Sequence, residues 1–208
     1  MVSLFRNAIA CLGVATALTA CATPKSVTRP IQTVYTPDAF TWCGGPGCRS
    51  PREVSLTERE WRDLTAPLRA SAIDAPAERA ALARAVARAE QIAGAKTGTE
   101  ADEAGTKIFN TDPNQLDCFS EASNTSNLIG LFSRAGLLRF HEPDEPVMRG
   151  YAFGTPSLVV HATASMRETA TSERWAVDSW FFDSGHEPAI VPVSEWRAGY
   201  RPEGGAIL

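Results

Sequence analysis

Cys118, His161 and Asp178 follow one another at intervals of 43 and 17 positions, and together they supply the three groups of a nucleophilic hydrolase. A thiolate attacks a carbonyl, an imidazole takes the thiol proton, and a carboxylate fixes the imidazole tautomer and stabilises the imidazolium that forms. No pair of these residues is close along the chain. Whatever chemistry they perform depends on elements that fold them together.

The nucleophile belongs to a helix expected over 118–134, with Ala122, Ile129 and Phe132 as its inner stripe and Gly136 near its end. Cys118 then lies in the first turn, where free amides and the helix dipole favour a thiolate and lower the thiol pKa. The charge of Asp117 works against this unless its carboxylate caps the helix. Two helices precede it. The first opens at Ser55 or Thr57, since Ser55 with Glu58 and Thr57 with Glu60 both fit a capping box, and it turns Trp61, Leu64 and Leu68 inward. The second spans 76–93, with Asp74 as cap, Leu82, Val86 and Ala89 as its stripe, and Gly94 as its stop. Residues 95–116 have no periodicity and are expected to be either disordered or part of a functional rim leading into the nucleophile.

Strands are expected over 157–164, 174–182 and 189–193, so helices come first and an antiparallel sheet second, an α+β arrangement. A hairpin centred between Thr169 and Ala170 pairs Leu158 with Phe181, Ala162 with Val177 and Ala164 with Trp175 as one apolar face. The same register sets His161 opposite Asp178, within reach of an imidazole–carboxylate hydrogen bond. A slip by two keeps the pair on one face, whereas a slip by one separates it. His141 and His186 are placed in solvated loops. Trp175, Trp180 and Trp196 are packing residues, with Trp180 a possible cleft wall. Asn124 and Asn127 lie on the nucleophile helix without assigned chemistry.

Composition bounds the function classes. The chain has 208 residues, 44% apolar and 21% charged, with a net charge of −4. That is too apolar for a disordered chain and long enough for one well-packed domain. Twenty basic against 24 acidic residues leave no electrostatic footprint for nucleic acid. Residues 1–20 have the pattern of an export signal, with Arg6 ahead of an apolar stretch from Ala8 to Ala17 that is too short to span a bilayer. They end in Leu18-Thr19-Ala20-Cys21, which resembles the lipobox of bacterial lipoproteins. The resemblance implies cleavage before Cys21 and acylation of its sulfur, so that residues 21–54 are a lipid-anchored tether with a cysteine loop and 55–208 the folded domain. The expected location is the cell envelope, facing the periplasm or exterior.

Export also orders the cysteines. Cys11 leaves with the signal and Cys21 carries lipid. Cys43 and Cys48 bracket Gly-Gly-Pro-Gly, a run that turns tightly enough to close a disulfide worth about 2 kcal/mol. No histidine or further cysteine lies near enough in sequence to make this pair a zinc site. Cys118 is the thiol left over.

Asp117-Cys118-Phe119-Ser120-Glu121-Ala122 resembles the Asp-Cys-x-x-x-Ala nucleophile motif of the transglutaminase-like core of papain-type cysteine hydrolases. Ser157-Leu-Val-Val-His161-Ala is similar to that family's His strand, and Trp175-Ala-Val-Asp178-Ser-Trp180 to its Asp strand. The likeness covers about 110–196. It implies thiol acyl transfer on peptide or isopeptide amides, with no metal or cofactor. The oxyanion would be held by the Cys118 amide and an upstream donor, Gln115 or Asn114, with Gln115 preferred. The resemblance carries over no particular substrate; the expected partners are the membrane, through the lipid, and an envelope protein or peptidoglycan peptide as substrate. Certain peptidoglycan peptidases also place Asp-Cys on a helix before a His strand, but they typically continue with Ser-Gly, absent here. Phe119 and Ser120 stand where acidic or small residues are often found. This motivates an alternative, an inert binding or scaffold lipoprotein of the same fold.

Overall fold

The computed structural model describes residues 36–70, 73–150 and 160–207. The export signal, Cys21, the apolar run at 31–35 and positions 157–159 of the expected His strand lie outside the described residues. Among the described residues, no helix is long and apolar enough to cross a membrane.

A short hairpin comes first. Strands β1 (Phe40–Trp42) and β2 (Arg52–Val54) pair antiparallel, joined by a loop with a 3-10 turn at Pro46–Cys48. Phe40, Trp42, Val54 and Leu56 are buried in the main core, so the packed unit begins ahead of the boundary expected at residue 54. Cys43 and Cys48 are disulfide-bonded.

Helix α1 (Glu58–Arg69) starts from a complete capping box. Thr57 Oγ1 accepts from Glu60 N–H, and the Glu60 carboxylate accepts from Thr57 N–H. Helix α2 (Ala75–Thr97) opens on Asp74, whose carboxylate accepts from Ala77 N–H. It runs past Gly94 to Gly98, which adopts φ 80° and closes the helix. Gly94 is therefore not a stop. A Cβ there would sit 2.9 Å from the Glu100 backbone, so this glycine lets the returning loop press against the helix. Helix α3 (Cys118–Arg134) opens on Asp117.

Four strands follow as an antiparallel meander: β3 (His141–Arg149), β4 (His161–Glu168), β5 (Arg174–Asp178) and β6 (Ala189–Pro192), ending in the short helix α4 (Val193–Arg197). The fold is α+β. Strand β3 replaces the loop expected around His141. Pro143 and Pro146 are tolerated because β3 is an edge strand, where a missing N–H costs no ladder bond. His141 is buried, not solvated, with its ring nitrogens near Glu78 and Arg79.

The β4–β5 register differs from the expected one by two residues. Ala164 faces Val177 and Met166 faces Trp175, because the connection closes further along, through Ser172 in the left-handed region (φ 62°). A slip of two preserves which side chains share a face. Ala164, Met166 and Val177 join the helices in the main core. By alternation, Arg149, His161 and Asp178 stand on the opposite face, against α4.

Candidate functional site

Asp117 caps α3, although its charge still acts on the Cys118 thiol. Its Oδ1 accepts from Ser120 N–H at 3.0 Å, Ser120 Oγ at 2.9 Å and Gly47 N–H at 2.9 Å. The disulfide loop is thereby docked on the start of α3. Cys48 N–H donates to Ser120 Oγ, and Asn124 grips both the N–H and the carbonyl of Cys43 at 2.7 and 3.2 Å. Asn127 donates to Thr41 O. The two asparagines without assigned chemistry thus join the first hairpin to the nucleophile helix.

Cys118 is the first residue of α3, a free thiol only 7% exposed. Its Sγ lies 3.8 Å from Val160 O and approaches the Ala162 N–H, so the thiol meets the β4 backbone on either side of His161. The lowered thiol pKa expected at a helix N-terminus is not found. Burial pushes the thiol up to about 12, helped by the charges of Asp117 and Asp178 and only partly opposed by the Ala162 amide. Desolvation outweighs the helix dipole here.

His161 is fully buried, and its Nε2 lies 2.7 Å from Asp178 Oδ2. The slipped register makes this contact diagonal rather than directly cross-strand. The ring is enclosed by Trp180, Phe181 and Trp196, with centroids 4.7, 5.4 and 5.3 Å away. Its other nitrogen, Nδ1, is buried and has no hydrogen-bond partner. Imidazole and carboxylate are thus joined, whereas the thiol meets only the backbone at the start of β4 and makes no hydrogen bond to the His161 ring.

Gln115 is occupied elsewhere. Its Oε1 accepts from Glu103 N–H and Thr106 Oγ1, and its Nε2 donates to Ala101 O at 2.9 Å. The amide that was to donate to an oxyanion therefore secures the rim loop. Asn114 Oδ1 accepts from Arg52. The rim is fastened to the segment after β5: Trp180 Nε1 donates to Thr106 O at 2.7 Å, and Gly105 N–H donates to Trp180 O. Trp180 is a strut between loop and sheet as well as a wall beside His161.

Two features had no sequence signal. Trp196, fully buried on α4, donates its indole N–H to Asp178 Oδ2 at 2.7 Å. Behind α3, Glu90, Asp102 and Glu121 are 3%, 3% and 4% exposed, and the Asp102 and Glu121 carboxyls are hydrogen-bonded to each other. Burial raises all three, Glu90 and Asp102 to about 7. Carboxylates from a helix, a loop and a second helix converge only in three dimensions, so spacing could not reveal them. No protein-family model, no curated protein and no solved structure matches this chain.

Proposed function

We propose that the chain is an envelope-anchored lipoprotein with a thiol hydrolase or acyltransferase site of the transglutaminase-like kind, acting on peptide or isopeptide amides. Cys118 is the nucleophile, His161 the base and Asp178 its orienting carboxylate. The observation that carries this reading is the unpaired, buried Nδ1 of His161, whose Nε2 is already engaged by Asp178. A buried ring nitrogen without a partner is costly. A lone pair on Nδ1 is what a general base needs, and the only cysteine thiol among the described residues touches the backbone on both sides of that histidine. The thiol lies on the α3 side of β4 and the His161 ring on the α4 side, with no hydrogen bond between them. In this mechanism a shift at the start of β4 first brings Sγ from Val160 O to Nδ1, where the thiol gives up its proton. The thiolate adds to the amide carbonyl, the imidazolium protonates the departing amine, and water or a second amine releases the acyl group. The Cys118 amide, at the helix N-terminus, is the donor available to the oxyanion. The lipid anchor rests on Leu18-Thr19-Ala20-Cys21.

Alkylation with iodoacetamide at pH 7 tests the site. An activated thiol reacts faster than a free cysteine, and His161→Ala slows it at least tenfold. A Cys118 that reacts more slowly than free cysteine, with no effect of His161→Ala, ends the hydrolase reading. The buried, high-pKa thiol favours a second reading, a binding or scaffold lipoprotein with an inert site. Under that reading Cys118→Ser retains every partner that wild type captures from envelope extracts. Radiolabelled palmitate incorporated by wild type and not by Cys21→Ser tests the anchor separately.

A further inference from the structure

The sheet face that bears His161 carries a second set of polar groups with no place in the three-residue scheme. Arg149 is the cross-strand partner of His161 and only 8% exposed. Its guanidinium lies 4.5 Å over the Trp196 ring and donates to the carbonyls of Trp196 and Tyr200. Nε and Nη2 of the same guanidinium are buried without a protein hydrogen-bond partner, so its charge is not spent on a carboxylate in direct contact. Trp196 in turn donates to the Asp178 oxygen that meets His161.

We propose that Trp196, backed by Arg149, is a positioning residue for the His161–Asp178 pair, selecting the ionised Asp178 and hence the His161 tautomer that keeps its lone pair on Nδ1. The inference rests on the proposed role of His161 as a base and deepens it.

Asp178 is 1% exposed and hydrogen-bonded to Nε2; a neutral carboxylic acid there would donate to Nε2 and leave the imidazole proton on Nδ1. That tautomer cannot accept a proton from a thiol at Nδ1. An indole N–H only donates, so Trp196 favours an acceptor oxygen at Oδ2, and hydrogen bonds to an ionised acceptor are the stronger kind. The Arg149 charge favours the same state, and an electrostatic interaction between Arg149 and Asp178 is present. With Oδ2 anionic, the Nε2 that faces it must carry the proton. Cation–π contact and the two carbonyl contacts hold the indole where its N–H meets Oδ2.

Nitrogen-15 NMR of the full chain, with the imidazole labelled, reads the tautomer directly and needs no activity. At pH 7 wild-type His161 shows the Nε2–H tautomer. Trp196→Phe, which keeps a ring and removes the donor, shifts a substantial fraction to Nδ1–H and lowers the iodoacetamide rate of Cys118 roughly tenfold, the effect of one lost hydrogen bond to a charged group. Arg149→Met moves the tautomer the same way, and Arg149→Lys, which keeps the charge, restores it. A wild-type His161 in the Nδ1–H form overturns the inference, and so does a folded Trp196→Phe with an unchanged tautomer. If Trp196→Phe fails to fold, the wild-type spectrum and the Arg149 pair decide alone. A wild-type Nε2–H tautomer that responds to these variants, alongside a Cys118 slower than free cysteine, keeps the inference and ends the hydrolase reading. A fast Cys118 with a tautomer indifferent to Trp196 does the reverse.

Discussion

At Gly94 helix propensity and packing pull in opposite directions. Within a helix interior, alanine is preferred over glycine by about 1 kcal/mol. A Cβ at this position would lie 2.9 Å from both Cα and N of Glu100, backbone atoms that cannot swing aside as a side chain can. The loop carrying Glu100 goes on to Asp102, whose carboxylate accepts from Leu116 N–H at 2.5 Å just ahead of Cys118. Gly94→Ala is therefore expected to destabilise the protein by about 1–3 kcal/mol in urea melts despite the better helix former; a stabilised variant would show that the loop yields freely. His141 teaches a related lesson. Its neighbours Glu142, Pro143, Asp144 and Glu145 have a loop's composition, and nothing local reveals that Glu78, 63 residues away, accepts from Arg139 N–H and Phe140 N–H and contacts the His141 ring at 2.9 Å. A long-range carboxylate, not a local propensity, sets the start of β3.

The hairpin β1–β2 and helix α3 act as one element because the side chains of α3 satisfy the loop's backbone. Asn124, 1% exposed, bonds both polar groups of Cys43. Asn124→Ala leaves a buried N–H and carbonyl unpaired and is expected to cost about 2 kcal/mol. Removing the disulfide with Cys43→Ser and Cys48→Ser costs a similar amount, about 2 kcal/mol, chiefly through the unfolded chain. Hydrogen exchange separates the two causes. In Asn124→Ala the Cys43 amide exchanges faster, while the Cys48 amide, held by Ser120 Oγ, stays protected. Equal acceleration of both would mean that the loop undocks as a whole. Much at this scale was legible in sequence: the Asp74 cap and the span of α3 follow from local chemistry that the fold leaves intact, and the fold decides between Ser55 and Thr57 and makes Asp117 the cap of α3. The disulfide followed from a short turning loop. The β4–β5 register was not legible to better than two residues, because alternation fixes the face and not the pairing, and the turn closes on a serine at positive φ that no turn motif announces. His161 and Asp178 stayed on a shared face for that reason, while the contact moved from opposite to diagonal. The helix position of Cys118 was legible too, but not its burial, which depends on where β4 and Trp180 end up.

Across the whole molecule the buried acids give stability a pH dependence of a particular sign. Glu90, on α2, accepts from Gly185 N–H in the turn after β5 and is raised by burial to about 7, with the Gly185 and Ser179 hydrogen bonds opposing. Asp102, raised to about 7 chiefly by burial, holds the rim loop to α3 and shares a carboxyl–carboxyl hydrogen bond with Glu121, itself raised well above the ordinary range by burial and by the charges of Glu90 and Asp102. An unfolded chain ionises these groups near 4, so between about pH 4 and 7 the folded protein binds more protons than the unfolded one. Stability therefore falls as pH rises through that window, by an amount on the order of a few kcal/mol, and the Glu90 and Asp102 share of the fall is complete above their folded-state pKa values. Glu78 has the opposite sign. Burial pushes it up, but the hydrogen bonds from His141, Arg139 and Phe140 together hold it below its ordinary value, so its contribution is present above the unfolded carboxylate pKa and is lost as pH falls through the lower folded one. The sum is a maximum on the acid side of neutrality. Glu90→Gln keeps an oxygen for the Gly185 N–H and cannot ionise. Thermal melts should show this variant close to wild type at pH 4.5 and more stable than wild type at pH 8, because only the wild type then bears the cost of a buried charge or of the proton taken up on folding. A variant less stable by the same amount at both pH values would mean that Glu90 contributes through its hydrogen bond alone, and that the slope belongs to the Asp102–Glu121 pair.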